Sequence, residues 1–153
     1  MSQPTFDPGI LLARFTRCGG DSDRTKRVDN LPPENRKMLL REAALEAGEE
    51  PLIAYLGGSG DWLLLTTLRI LHAGPGGRMD IRLVDLIKID HDLAGEAKKH
   101  GPGKSLYRQL TIEGIGGRRI VADVEPGEPF YTLWNTLIWP CNWATAHRKR
   151  GLA

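Results

Sequence analysis

The chain has 153 residues, of which 41% are hydrophobic, 26% charged and 7% aromatic. That is the length of one domain with a modest appendage and enough apolar surface for a core, which excludes a second full catalytic domain and a disordered chain. Its 21 basic and 19 acidic residues leave a formal charge of +2, too balanced to predict a nucleic-acid partner.

Residues 1–48 are expected to form an N-terminal arm. The start Met1 to Pro8 lacks the basic and apolar regions of a signal peptide, and no stretch approaches the ~18–20 apolar residues of a membrane span. A cytoplasmic chain is expected, with a peripheral place at a membrane left open. Asp7-Pro8 is a helix-start signal before Ile10, Leu11, Leu12 and Phe15, and predicts a short helix near 8–17. Residues 18–30 are polar and without periodicity. Pro33 suits a first helical position, Glu34 complements the dipole and Gly48 is a stop, which predicts a helix over 33–47. Its apolar positions Met38, Leu39, Leu40, Ala43, Ala44 and Ala47 make a broad, shallow face suited to docking on something larger.

After Glu50 the sequence turns to short β-type runs between glycine-rich turns: 51–56, 62–67, 68–73, 81–90, 106–113 and 118–125. Gly57-Gly58-Ser59-Gly60-Asp61, Gly74-Pro75-Gly76-Gly77 and Gly114-Ile115-Gly116-Gly117 suit tight hairpin connections, so the neighbours should be antiparallel. In the run 81–90, Ile81, Leu83, Ile87 and Ile89 share one face, which Asp85 interrupts. The polar, glycine-rich connection from His91 to Lys104 is expected to be an exposed loop. Phe130, Leu133, Trp134, Leu137, Ile138 and Cys141 then recur at helical spacing behind Pro126-Gly127-Glu128-Pro129, and Pro140 should end or kink that helix. Residues 49–145 are thus expected to be the domain, mainly β with helices (α+β), and 146–153 a basic flexible tail.

The order of six or seven short strands and one closing amphipathic helix resembles the pleckstrin-homology (PH) superfold, and in particular its bacterial PH-like and GRAM-type members. Leu64-Leu65-Thr66-Thr67-Leu68-Arg69-Ile70-Leu71 is similar to the family's Leu-Thr-x-x-Arg phrase at a strand turn. Ile81-Arg82-Leu83-Val84-Asp85-Leu86-Ile87-Lys88-Ile89 resembles its Ile-x-Leu-x-Asp-Ile phrase, and Phe130 and Trp134 resemble its closing helix. The resemblance covers roughly residues 49–143 and implies an antiparallel barrel or sandwich closed by the helix. Phosphoinositide-binding members carry basic residues around the first hairpin loop. The loop 57–61 here has none, which counts against that ligand at that place.

Few residues carry candidate chemistry. The glycine turns lack the context of a phosphate cradle, and Gly58-Ser59-Gly60 is followed by Asp61 where a nucleophile elbow needs a second spaced glycine. His91, Asp92 and His100 would offer metal ligands for a hydrolase, without evident third and fourth partners. His72 has no paired acid by spacing and reads as a packed side chain. Cys18 and Cys141 lie in no metal or redox motif. Lys98, Lys99, His100, Lys104, Arg108, Arg118 and Arg119 would attract anionic lipid headgroups or an acidic protein surface if they shared a face. Trp139 and Trp143 flank Pro140 off the apolar stripe and are candidates for an interface.

The sequence therefore predicts a non-enzymatic binding module without cofactor or metal. Its expected partner is a protein or a second copy, engaged through sheet edges and the aromatic C-terminal end. The alternatives are anionic-lipid binding through the basic loop and, third, a metal-dependent hydrolase.

Overall fold

Tight glycine turns leave successive strands no choice but to run antiparallel, and the computed structural model, which describes residues 5–91 and 108–151, shows two such sheets. The elements are α1 (Pro8–Arg17), β1 (Thr25–Arg27), α2 (Pro33–Ala43), β2 (Pro51–Leu56), β3 (Trp62–Thr66), β4 (Arg69–Gly74), β5 (Gly77–Arg82), β6 (Leu86–His91), β7 (Gln109–Gly114), β8 (Arg119–Asp123) and α3 (Glu128–Lys149). Sheet A has the order β1-β2-β3-β4-β5 and sheet B the order β6-β7-β8. The fold is α+β, with N-terminal helices, two antiparallel sheets and a long C-terminal helix packed on a sheet.

The main core lies between the sheets and under two helices. Leu63, Leu65, Ile70 and Ile81 of sheet A meet Ile89, Leu110, Ile112 and Ile120 of sheet B, and α3 adds Phe130, Leu133, Leu137 and Cys141. Leu11 and Phe15 of α1 are in the same core and fully buried. The outer face of sheet A is covered as well. There Val28, Leu31, Leu39 and Ala43 sit on Ala54, Trp62, Leu64 and Leu71. A sheet apolar on both faces explains why all five residues of β3 are buried and why its sequence does not alternate.

The cover is held by charge as well as by apolar packing. Trp62 Nε1 donates to Glu42 Oε2 at 2.6 Å. The Arg78 guanidinium donates to the carbonyls of Glu42 and Ala43, supplying partners for the last carbonyls of α2. Behind them Arg69, 8% exposed, donates from Nε to Glu49 Oε2 at 3.0 Å and from Nη1 to Asp80 Oδ2 at 3.3 Å. The Thr66 hydroxyl donates to Glu49 Oε2 at 2.5 Å and accepts the N–H groups of Leu68 and Arg69 at 3.0 Å. Burial pushes the Glu49 carboxyl up, yet the hydrogen bonds from Arg69, Thr66 and the Glu46 N–H bring it, on balance, below its ordinary value of 4.5.

Several expectations need correction. The second helix stops at Ala43 rather than 47, because Ala44 turns left-handed at φ 51 and the chain must double back to seat Glu49 against Arg69. The run 81–90 is two strands in different sheets, separated by a 3₁₀ turn at Leu83–Asp85. Among the described residues the stretch 49–145 holds seven strands, β2 to β8, and one more, Thr25–Arg27, lies in the arm within a stretch read as aperiodic and pairs with β2. Pro140 does not end α3: the buried stripe of Leu137, Cys141 and Ala144 continues across it and offsets the missing hydrogen bond. Nor are 146–149 a flexible tail. They are the last turn of α3, where Arg148 donates to the carbonyls of Val84 and Leu86 at the corner between the sheets.

Candidate functional site: the mouth between the sheets

The register of sheet A aligns Thr25, Tyr55, Leu63, His72 and Met79 as one row across its five strands. Tyr55 and Leu63 belong to the core between the sheets, so alternation puts the whole row on that face. The row crosses near the hairpin turns 57–61 and 75–76, away from the corner where Arg148 meets Val84 and Leu86. The C-terminal end of β8 lies at this same end of sheet A. The Glu125 carboxylate accepts the Ser22 hydroxyl at 2.7 Å, the Arg24 N–H at 3.0 Å and the Thr25 hydroxyl at 3.1 Å, and Val124 N–H donates to Arg108 O at 2.8 Å. We call this end the mouth.

Two titratable side chains sit in it. His72 is half-buried, and burial lowers its pKa below the ordinary 6.5 against the opposing pull of Asp61 and Asp123. Tyr55 is buried, and burial raises its pKa above 10.0. Asp61 acts in the same direction and Arg108 and Arg24 against it. Both are therefore neutral near pH 7. A neutral imidazole offers one donor and one acceptor nitrogen, and a phenol offers a hydroxyl that does both. Together they place polar groups beside Leu63 and Met79 in a row rimmed by charges of both signs.

Two glycines make the room. A Cβ on Gly74 would stand 2.8 Å from His72 Cε1, and one on Gly57 would stand 2.2 Å from Asp61 Oδ1. The Asp61 carboxylate accepts the Ser59 hydroxyl at 3.0 Å, and its carbonyl accepts Gly57 N–H at 2.8 Å. Across the same rim, a groove of about 420 Å³ is lined by Glu42, Asp61, Trp62, Pro75 and Arg78 among others.

The residues singled out from the sequence are distributed differently. Lys98, Lys99, His100 and Lys104, with Asp92, lie outside the described residues. Arg108 precedes β7 at the mouth, whereas Arg118 and Arg119 lie at the far end of the β7–β8 hairpin, about five residues or ~17 Å along the strands. The three described arginines do not form one patch, and Arg118 reaches Asp80 at 3.4 Å. His91 ends β6 opposite Leu110. Among the described residues no group of three or more His, Cys, Asp or Glu is placed to hold a metal, and no helix is long and apolar enough to cross a membrane. Cys18 and Cys141 are both free thiols. The Cys18 carbonyl accepts the Thr132 hydroxyl, nine residues or ~13 Å along α3 from Cys141.

Trp139 and Trp143 are half-buried and pack edge-to-face with Phe6, at centroid distances of 5.7 and 5.0 Å. Phe6 N–H donates to Thr67 O, so this cluster lies at the end of sheet A opposite the mouth. Sequence reasoning missed Tyr55, Asp61 and Asp123 as companions of His72, because the register of β2, β3 and β4, the turn 57–61 and the packing of sheet B, rather than any spacing, bring them together. The usable signal was parity: Tyr55 and His72 each stand on the core-facing phase of an apolar run.

No family model, no curated protein and no solved structure matches this chain.

Proposed function

We propose that the chain is a non-enzymatic PH-like binding module that pairs with another polypeptide, in the first instance a second copy of itself, along the β5 edge of sheet A, beyond which no strand lies among the described residues. Four antiparallel strands, β2 to β5, a corner, three more, β6 to β8, and then α3 follow the order of the PH superfold, with β1 added beside β2. That order, together with the sequence phrases around Thr66 and Asp85, supports the PH-like reading.

The observation that carries the binding mode is the contrast between the two edges of sheet A. The β2 side is filled by β1. The outer side of β1 is in turn blunted by its own loop, with Ser22 N–H donating to Thr25 O and Arg27 N–H to Asp21 Oδ1. At the other edge the first half of β5, Gly77, Arg78 and Met79, is exposed, Met79 at 39%. An exposed strand edge presents backbone donors and acceptors to any extended segment. The mouth opens beside that edge, since Met79 ends the row that contains His72. The separation of Arg108 from Arg118 and Arg119 favours this reading over a single cationic face for lipid.

Light scattering after size-exclusion chromatography, over a concentration series of the full chain, tests the proposal. A concentration-dependent dimer is expected, weakened about tenfold by Met79→Lys, since a charge on an edge strand opposes pairing. A chain that stays monomeric at its highest soluble concentration overturns self-pairing. If that monomer binds anionic vesicles at low salt, the membrane reading takes its place.

A further inference from the structure

At the end of sheet A remote from the mouth, Phe6, Trp139 and Trp143 line an open cleft of about 170 Å³, together with Thr5 and Asp7 among the described residues. The Phe6 ring stands at 80° to Trp139 and 74° to Trp143, so the aromatic walls meet at near-right angles. His147 stacks on Trp143 at 4.3 Å and 16°. Trp139 and Trp143 are one helical turn apart on α3. Phe6 is fixed from the other side by its backbone bond to Thr67 and by α1, whose N-cap is Asp7.

We propose that this aromatic corner is a binding site for an alkylated ammonium head, the trimethylammonium of choline or of a methylated lysine. The volume falls well below the roughly 300–1,000 Å³ of sites for drug-sized molecules, so the site takes a head group. Aromatic faces carry negative potential and attract cations, and several rings converging on one point are the known means of holding a quaternary ammonium. Among the described residues the lining contains one carboxylate and no basic side chain. Asp7 Oδ1 accepts Ile10 N–H at 3.1 Å, which leaves the carboxylate further acceptor capacity and its charge. A bare ammonium or guanidinium would shed part of its hydration to reach the rings, and among the described lining side chains Asp7 and the Thr5 hydroxyl are the acceptors offered in exchange. An alkylated ammonium has no N–H to satisfy and presents methyl groups to the rings. This inference is independent of pairing at β5, which lies elsewhere on sheet A.

The test is a titration of the ¹⁵N-labelled full chain, followed by the indole N–H signals in two-dimensional NMR. The ligands are choline and its neutral carbon isostere, in which a tert-butyl group replaces the trimethylammonium. Choline should move the Trp139 and Trp143 signals, leave those of Trp62 and Trp134 in place, and bind about fivefold or more tighter than the isostere. Asp7→Asn keeps a good helix N-cap and removes the charge, so it should weaken choline several-fold while leaving the isostere unchanged. Equal affinity for the two ligands reduces the corner to an apolar dimple and overturns the proposal, as do unresponsive indoles or an Asp7→Asn variant that binds choline normally. Where choline binds, phosphatidylcholine vesicles and a trimethyllysine peptide run side by side identify the source of the head group.

Discussion

The two faces of sheet A are built from the same strands and treated in opposite ways. On the outer face Trp62, Leu64 and Leu71 lie under α2, and the chain spends Arg69, Arg78, Glu42 and Glu49 on tying that cover down. On the inner face the row at the mouth holds Tyr55, His72 and an exposed Met79, and Gly57 and Gly74 leave space at a rim that also carries charges of both signs. Buried, paired charge marks the face whose position is fixed. A buried phenol and a half-buried imidazole stand at the mouth instead. The difference teaches that the strongest electrostatics of this fold serve assembly.

The largest test of the comparison is removal of residues 1–48. Val28, Leu31 and Leu39 cover the outer face, while Leu11 and Phe15 fill the main core. At about 1.5–3 kcal/mol per buried side chain, four of them alone come to roughly 6–12 kcal/mol, as much as the ~5–15 kcal/mol net stability of a typical domain. The shortened chain should be unfolded or aggregated by circular dichroism and dye binding. A cooperatively folding fragment 49–153 would break the comparison, because the cover would then be dispensable.

A sharper cut is Arg69→Met. It leaves the Glu49 carboxylate, 8% exposed, buried without its main partner, and removing one member of a buried pair costs about 3–5 kcal/mol. Urea denaturation should show that loss, and the double variant Arg69→Met with Glu49→Gln should recover part of it. The pair also sets a pH dependence. The depressed Glu49 carboxyl contributes fully above its ordinary value of 4.5, and the contribution is lost as pH falls through the folded value. Arg69→Met should remove that fall in stability on the acid side of 4.5.

How much of this was legible in the sequence follows from the same contrast. The first helix was read at its actual bounds, 8–17, because an N-cap, a proline and an apolar stripe agree locally. The run 51–56 was legible as one uninterrupted apolar strand. β1 was not: Thr25-Lys26-Arg27 has no apolar alternation, and it is held by backbone pairing with β2 and by Glu125, a hundred residues later. The break within 81–90 was announced by Asp85 falling out of phase, but only the packing shows that the chain changes sheets there. The mouth was opaque for a different reason. His72 finds its neighbours across the register of sheet A and from sheet B, and no spacing rule encodes that.

The smallest effect bears most directly on the mouth. Burial lowers the His72 pKa below 6.5, with Asp61 and Asp123 pulling the other way, so the unfolded chain binds that proton more readily than the folded one. Its neutral form therefore costs nothing above pH 6.5, and stability declines as pH falls below that value until the folded imidazole itself is protonated. The shift should be visible as a His72 ring resonance that titrates below 6.5 in NMR, and His72→Gln should remove the corresponding slope in stability. Gly74→Ala sharpens the test, because its methyl would stand 2.8 Å from Cε1. It should push the ring outward and carry the titration back toward 6.5, with only a modest loss of stability. A His72 that already titrates at or above 6.5 in the parent chain would mean that Asp61 and Asp123 outweigh burial. The mouth would then be a wet, acidic rim suited to a cation, not a half-dry row of neutral hydrogen-bonding groups.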